Sequence, residues 1–194
     1  MQEARRSQEE RRAATRRALL AAARRQFAEQ GFAATNTPAI AAEAGVTRGA
    51  LYHHFADKQA LFEAVVEEEH ALVALAIHAG AVREPEAGPV RALIEGGDAY
   101  LAAMADPGRR RLLLVEAPAV MSRESLEALN ARFGLRTLLD GVGAAVAAGA
   151  IRDLPVAPLA QLLDALFDRA ALAPAEQLPD YRKVIKALIR GLKT

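Results

Sequence analysis

Several residues in one short segment have side chains that could read a nucleic acid: Thr47, Arg48, Gly49, Tyr52 and His53. On a helix that begins at residue 48, the last three fall on the arc opposite Leu51 and Phe55. The first two lie at the helix N-terminus, where free backbone N–H groups favour phosphate. Arginine can bind guanine edges, and hydroxyl groups can bind phosphates. The alternative, packed helices that contact no nucleic acid, leaves the cationic and aromatic arc without a structural reason.

The residues before this segment predict the other half of a helix-turn-helix, in which a tight turn joins two short helices. Asn36 and Thr37 are helix-capping types, and Pro38 suits a first turn. Ala41 is small enough for close helix contact, and Gly45 follows four residues later, where a turn needs positive φ. Apolar residues at consistent spacing would form the interior: Ile40, Ala44, Val46, Leu51 and Phe55.

The rest of the chain is predicted to form helices separated by Gly and Pro residues. No stretch shows the alternation of apolar and polar residues that is typical of a β-strand. A first helix is predicted to end at Gly31, and a fourth to run from the Asp57 cap to about Ala79. Later helices are predicted over about 90–105, 109–115, 122–148, 158–172 and from 174 or 179 to 192. We therefore expect an all-α fold of about nine helices, with a three-helix DNA-binding domain at 1–69 and a helical bundle at 70–194.

Composition narrows the class of protein. The 194 residues include no cysteine, which excludes disulfides and thiolate metal sites and favours a cytoplasmic setting. No apolar run approaches the length of a membrane span, and the N-terminus has no signal-peptide core. The net charge of +1 is uninformative, but eight arginines lie within residues 1–30 and could approach phosphates or form a solvated face: Arg5, Arg6, Arg11, Arg12, Arg16, Arg17, Arg24 and Arg25.

Residues 31–62, GFAATNTPAIAAEAGVTRGALYHHFADKQALF, resemble the signature of the TetR (tetracycline-repressor) family. The resemblance implies a transcription regulator whose operator contacts come from Thr37, Thr47, Arg48, Tyr52, His54 and Lys58, the last as a phosphate contact. The helical geometry favours His53 where the resemblance favours His54. Pro38 departs from the family pattern, in which a polar residue is usual at this position, and it has no backbone donor.

The resemblance also implies that the C-terminal helices bind an effector and form a homodimer. Apolar residues at three- and four-residue spacing support dimerisation, and intrachain packing must use part of the same faces: Leu159, Leu162, Leu163, Leu166, Val184, Ile185, Leu188 and Ile189. A dimer would bind a palindromic operator, and a small, mostly apolar effector would release it. Candidate pocket residues are His70, His78, Tyr100, Met104, Glu116, Met121, Asn130, Phe133 and Phe167.

Enzyme motifs are missing from the sequence, so no catalytic residue, cofactor or metal is expected. There is no Gly-x-Ser-x-Gly elbow, and Gly141-Val142-Gly143 has no preceding strand. The Glu67–His70 spacing occurs in di-iron bundles, yet the sequence holds no second copy. Two alternatives to a ligand-released repressor remain: a regulator of the same fold without a small-molecule effector, and a helical-bundle enzyme. Specific operator binding and ligand-induced release distinguish the three.

Overall fold

The structure, a computed structural model, describes residues 2–194 apart from the side chains of residues 2–7 and of Pro85. The predicted Arg5 and Arg6 therefore lie outside the described side chains. The helices are α1 Gln2–Ala34, α2 Thr37–Glu43, α3 Arg48–His54, α4 Lys58–Ala81, α5 Pro89–Ala103, α6 Pro107–Arg111, α7 Ala117–Val120, α8 Arg123–Arg132, α9 Gly134–Ala147, α10 Val156–Ala171 and α11 Leu178–Arg190. The all-α prediction is confirmed, and over residues 2–194 extended pairing is limited to one isolated bridge between Ile151 and Lys193.

Two compact units divide the chain. The first contains the residues up to Glu68 together with Arg111–Met121, and the second contains Glu69–Arg110 and Ser122–Thr194. The predicted division into 1–69 and 70–194 differs from this in the segment 111–121. That segment joins the first unit although the residues on both sides of it belong to the second.

Three aromatic rings organise the core of the first unit. The Phe27 and Phe32 rings each lie 5.1 Å from the Phe62 ring, centroid to centroid, in edge-on arrangements. Such pairs add to the free energy that aromatic burial already provides. Buried aliphatic side chains from α1 to α4 surround them: Leu19, Ile40, Leu51, Leu61 and Val65.

Helix α1 bends at Gly31, where the sequence predicts its end, and resumes beyond the bend as far as Ala34. Gly31 has φ of 82°, a value that strains a residue with a Cβ atom. The carboxylate of Glu116 accepts a hydrogen bond from the Phe32 backbone N–H at 2.9 Å. The guanidinium of Arg111 donates to the carbonyl oxygen of Glu29 at 2.8 Å and pairs with Glu116. The segment 111–121 is thus bonded to the backbone on both sides of the bend.

In the second unit, α9 packs against α10 and α5, and α11 packs against α5 and α10. Among the ion pairs of this unit, Arg109 with Glu69 and Lys186 with Asp98 each have a nitrogen–oxygen distance of 2.6 Å. The single helix predicted over 122–148 is wrong: the backbone leaves helical geometry at Phe133, with φ −122° and ψ −94°, so α8 and α9 are separate. The stretch predicted over 109–115 is also divided, because α6 continues into a π-helical turn at Leu112–Glu116.

Candidate nucleic-acid interface

Helix α3 is held in place by caps and by the turn before it. The Thr47 hydroxyl accepts a hydrogen bond from the Ala50 N–H at 3.1 Å, as a helix N-cap should. Asn36 caps α2 in the same way through the Ala39 N–H at 3.0 Å. Gly45 has φ of 68°, so the predicted need for glycine at this turn is confirmed. Leu51 is fully buried and fixes the inner side of α3.

The opposite side of α3 is a continuous exposed surface, hereafter the reading face, made of Thr47, Arg48, Gly49, Tyr52 and His53. The structure thus brings together the three residues that the helical geometry placed outward and the two predicted at the N-terminus of the helix. The guanidinium carbon of Arg48 lies 5.4 Å from the Tyr52 ring centroid. This contact holds the cation against the ring while the Arg48 side chain remains exposed.

Thr37 contacts α3 rather than facing outward. Its side chain is buried, and its hydroxyl lies 3.0 Å from the Tyr52 hydroxyl. This hydrogen bond, with a further contribution from Arg48, lowers the pKa of Tyr52. Thr37 therefore positions the tyrosine of the reading face from behind.

The two histidines at the end of α3 differ in environment. His53 is exposed and His54 is half-buried. Burial lowers the pKa of His54, as do the nearby charges of His53, Arg12 and Arg16. These effects favour the neutral form of the His54 imidazole. The effect also shows that two arginines of α1 lie near the end of α3.

Arg12 and Arg16 were not singled out from the sequence as individual contacts, although the arginine cluster of α1 contained them. Both side chains are exposed, and the Arg16 guanidinium lies 4.7 Å from the Phe55 ring centroid. They extend the positive surface of α3 along α1.

Lys58, the predicted phosphate contact, lies at the end of α1. Its ammonium donates to the carbonyl oxygens of Phe32 at 2.8 Å and Thr35 at 2.9 Å. It also lies 4.2 Å from the Phe32 ring centroid. In this structure Lys58 satisfies carbonyl groups that the bend of α1 leaves without helical partners.

The second unit contains a cavity of about 210 Å³ between α4, α5 and α9. A smaller space of about 30 Å³ shares five of its lining residues and adds a wall from α10. Of the predicted pocket residues, His78 lines the larger space, and Tyr100 and Phe167 line the smaller one. The remaining lining residues include Ile77, Leu93, Gly96, Gly97, Thr137, Leu138, Asp140, Gly141 and Asp164.

The other predicted pocket residues lie elsewhere. Glu116 and Met121 belong to the first unit, where Glu116 binds the Phe32 N–H. The Phe133 ring stacks on His70 with 6.3 Å between centroids, and burial lowers the pKa of His70 to about 4. Met104 is buried in the core, and Asn130 is partly exposed on α8. None of the six lines the two spaces described above.

The predicted dimer residues divide into two sets. Leu163, Ile185 and Ile189 are buried within the protomer, so their side chains already have intrachain partners. Leu159 is partly exposed, and four large apolar side chains are well exposed on α10 and α11: Leu162, Leu166, Val184 and Leu188. This exposed stripe remains unpartnered within one chain.

Among the residues that the structure describes, no three His, Cys, Asp or Glu side chains converge to hold a metal ion. Within the same residues, no helix combines the length and apolarity that crossing a bilayer requires.

The chain contains a capped helix-turn-helix, and most of the second helical unit follows it in sequence. These features place the protein in the helix-turn-helix class. Residues 19–65 match the family model of bacterial regulatory proteins of the tetR family. Residues 90–193 match that of the tetracyclin repressor-like C-terminal domain. The second match alone spans more than half of the chain, and the protein belongs to the TetR family.

Individual relatives agree with this assignment. The chain is 38% identical over 77 residues to a helix-turn-helix transcriptional repressor of Mycobacterium tuberculosis, covering 40% of this chain and 39% of that protein. It is 51% identical over 43 residues to the transcriptional regulator AcrR of Shigella flexneri, covering 22% of this chain and 20% of that one. The matches therefore span well under half of these relatives' lengths. A solved TetR-family regulator of Pectobacterium atrosepticum is similar over 95% of this chain and 96% of its own, with 28% identity and a TM-score of 0.74.

Proposed function

We propose that the protein is a sequence-specific DNA-binding repressor that binds a palindromic operator as a homodimer and is released by a small-molecule effector. The observation that carries the proposal is the reading face of α3, on which cationic, aromatic and hydroxyl groups are exposed together. Exposed cationic and aromatic side chains do not contribute to packing in the protein's own core. The major groove of DNA presents hydrogen-bond acceptors and thymine methyl groups that these side chains can contact.

Each group of the interface has a distinct role in this proposal. Arg48 donates to a guanine edge, while Thr47 and Tyr52 contact phosphates or thymine methyl groups. Arg12 and Arg16 contact the backbone beside the end of α3, and the phosphates there supply affinity without sequence information. Lys58 remains a proposed phosphate contact, and to reach DNA its ammonium would exchange one carbonyl partner for a phosphate oxygen.

Dimerisation would use the exposed apolar stripe of α10 and α11. Leu162 is 65% exposed and Val184 56%, and a group of exposed apolar side chains on two adjacent helices is typical of an interaction surface. Two such helices and their symmetry mates make a four-helix interface, as in other two-fold assemblies. Pairing would present two copies of the reading face to successive major grooves on one side of the duplex.

Effector release would act through the segment 111–121. Both of its ends continue into the second unit, while Glu116 and Arg111 are bonded to the backbone of α1. A ligand that favours one arrangement of the second unit could therefore shift the first through this segment. The cavity between α4, α5 and α9 is the space in which such a ligand would bind.

The proposal is tested by Arg48→Ala, with binding to an operator measured by fluorescence anisotropy. The variant is expected to lose about 1–3 kcal/mol for each reading face and to discriminate less against changes at the contacted base pair. The matched control is Arg123→Ala on α8, where the arginine side chain is 92% exposed and pairs with Glu127. Equal losses in both variants would show that general charge, not the reading face, determines binding.

A further inference from the structure

The carboxylate of Asp164 lines the smaller of the two spaces beside Tyr100 and Phe167. No hydrogen bond or ion pair reaches it from the side chains that the structure describes. Its neighbour on the same helix, Asp168, differs because it accepts a hydrogen bond from the Tyr100 hydroxyl at 2.5 Å. The cavity wall therefore contains one carboxylate without a partner.

The position of Asp164 on α10 separates it from the proposed dimer interface. At about 100° per residue it lies on the side of α10 opposite Leu162 and Leu166. That side carries Phe167, which is buried against α5 where Gly97 leaves room for the ring. A second copy of the chain seated on the apolar stripe would consequently not reach Asp164.

The lining of the two spaces contains no lysine or arginine, and its only imidazole, His78, is exposed. Asp140 also lines the larger space, but it is exposed and paired with Arg136. A half-buried carboxylate without a counter-ion opposes folding, because water no longer stabilises its charge fully. Burial and Asp168 accordingly raise the pKa of Asp164 to about 6, which leaves it ionised at pH 7.5. The carboxylates are thus the charged groups of the wall, and Asp164 is the one without a counter-ion.

We propose that the cavity binds a small organic cation, whose ammonium group pairs with Asp164 and whose apolar body lies against Ile77, Leu93 and Leu138. The Tyr100 and Phe167 rings, 6.1 Å apart, offer faces or edges to the same end of the ligand. An apolar cavity of about 150 Å³ holds benzene, so about 210 Å³ suits one ring with a short alkyl chain. The small, mostly apolar effector expected from the sequence is thereby specified as an apolar body with a positive charge at one end.

This inference rests on the proposed function, since it names the chemistry of the effector. Its test compares three probes with the same apolar body: 4-phenylbutylamine, 4-phenylbutanol and 4-phenylbutyrate. Binding to the full chain is measured by isothermal titration calorimetry at pH 7.5. The amine is expected to bind at least tenfold more tightly than the alcohol, and the carboxylate to bind more weakly than either. Equal binding of amine and alcohol would overturn the inference.

Asp164→Asn keeps the shape of the side chain and removes its charge. The variant is expected to lose at least tenfold in affinity for the amine and to keep its affinity for the alcohol. Asp180→Asn, an exposed position on α11, is the matched control and should change neither. An unchanged amine affinity in Asp164→Asn would contradict the assignment. If that variant did not fold, the comparison of the three probes on the unmodified protein would decide alone.

Operator binding without any probe separates the two proposals. A chain that binds its operator but does not prefer the amine overturns the cation inference and leaves the regulator. A chain that prefers the amine through Asp164 but binds no specific DNA overturns the regulator and leaves the cation site. Where both hold, the amine should weaken operator binding in the unmodified protein and not in Asp164→Asn.

Discussion

Replacing the cavity carboxylate by its amide, Asp164→Asn, is expected to stabilise the ligand-free protein at neutral pH. Burial and the adjacent Asp168 raise the pKa of Asp164 from 3.8 to about 6. The folded protein therefore holds this proton more tightly than the unfolded chain does. The stabilisation that this proton provides is fully present below about pH 4 and is lost as the pH rises through about 6. At pH 7.5 the carboxylate opposes folding, and the amide does not.

The size of the effect follows from the shift of about two pKa units. At about 1.4 kcal/mol for each unit, the upper bound is near 3 kcal/mol. Asp164 is only half-buried, and solvent screening reduces that figure to about 1–2 kcal/mol. Asp164→Asn should therefore raise the free energy of unfolding by this amount at pH 7.5 and by less than about 0.5 kcal/mol at about pH 3.5.

The assay is urea unfolding followed by circular dichroism at both pH values. Burial lowers the pKa of His70 to about 4, so His70 also makes the free energy of unfolding depend on pH. This contribution is the same in both proteins and cancels in the difference between their free energies of unfolding. Asp180→Asn provides the exposed control, for which no pH-dependent gain is expected. Destabilisation of Asp164→Asn at pH 7.5, or an equal gain at both pH values, would refute the description of Asp164 as an uncompensated charge.

Three further predictions concern the bend of α1, the DNA backbone and the dimer. Gly31→Ala should destabilise the first unit by about 2–4 kcal/mol in urea unfolding, because positive φ strains alanine. The added Cβ atom would also lie 2.6 Å from a carboxylate oxygen of Glu116. A loss under about 1 kcal/mol would show that the bend relaxes freely. Arg12→Gln and Arg16→Gln should each reduce the slope of log affinity for DNA against log salt by about 1, and an unchanged slope would exclude phosphate contacts there. Leu162→Glu should convert the dimer to a monomer in analytical ultracentrifugation and weaken operator binding more than tenfold, whereas a variant that stays dimeric would exclude this surface.

Local signals made much of the first unit predictable. Gly31 and Gly45 have the positive φ values that their positions required. Asn36 and Thr47 cap the helices that follow them, because their short side chains reach the free N–H groups of the first turn. The exposed reading face also follows from local helical geometry, with Leu51 buried on the opposite side. Each of these features depends on residues a few positions apart.

Features that depend on distant residues were not accessible in the same way. The hydrogen bond between the Phe32 N–H and Glu116 joins positions 84 residues apart, and no pattern in the sequence predicts it. The ammonium of Lys58 finds its carbonyl partners through the bend of α1. The break at Phe133 is followed by Gly134, but a single glycine inside a helical pattern does not by itself predict that the helix divides.

The unpartnered carboxylate in the cavity is not predicted by the sequence pattern of α10. Asp164 and Asp168 are four residues apart, on the side of α10 opposite the apolar stripe that includes Leu162. A helix with apolar residues on one side and acidic residues opposite them ordinarily exposes the acidic side. Here Phe167 and Ala171 lie between and beyond the aspartates and are buried, which indicates that this side also packs inward.

The central claim is that two copies of the reading face contact one duplex in successive major grooves. Selection of bound sequences from a random DNA pool, using the full chain, tests it most directly. The predicted result is an inverted repeat with half-site centres about 10 base pairs, or a multiple of this spacing, apart, together with loss of the enriched bases when Arg48→Ala is used. Enrichment of no sequence, or of a single half-site that the variant binds equally well, would contradict the claim.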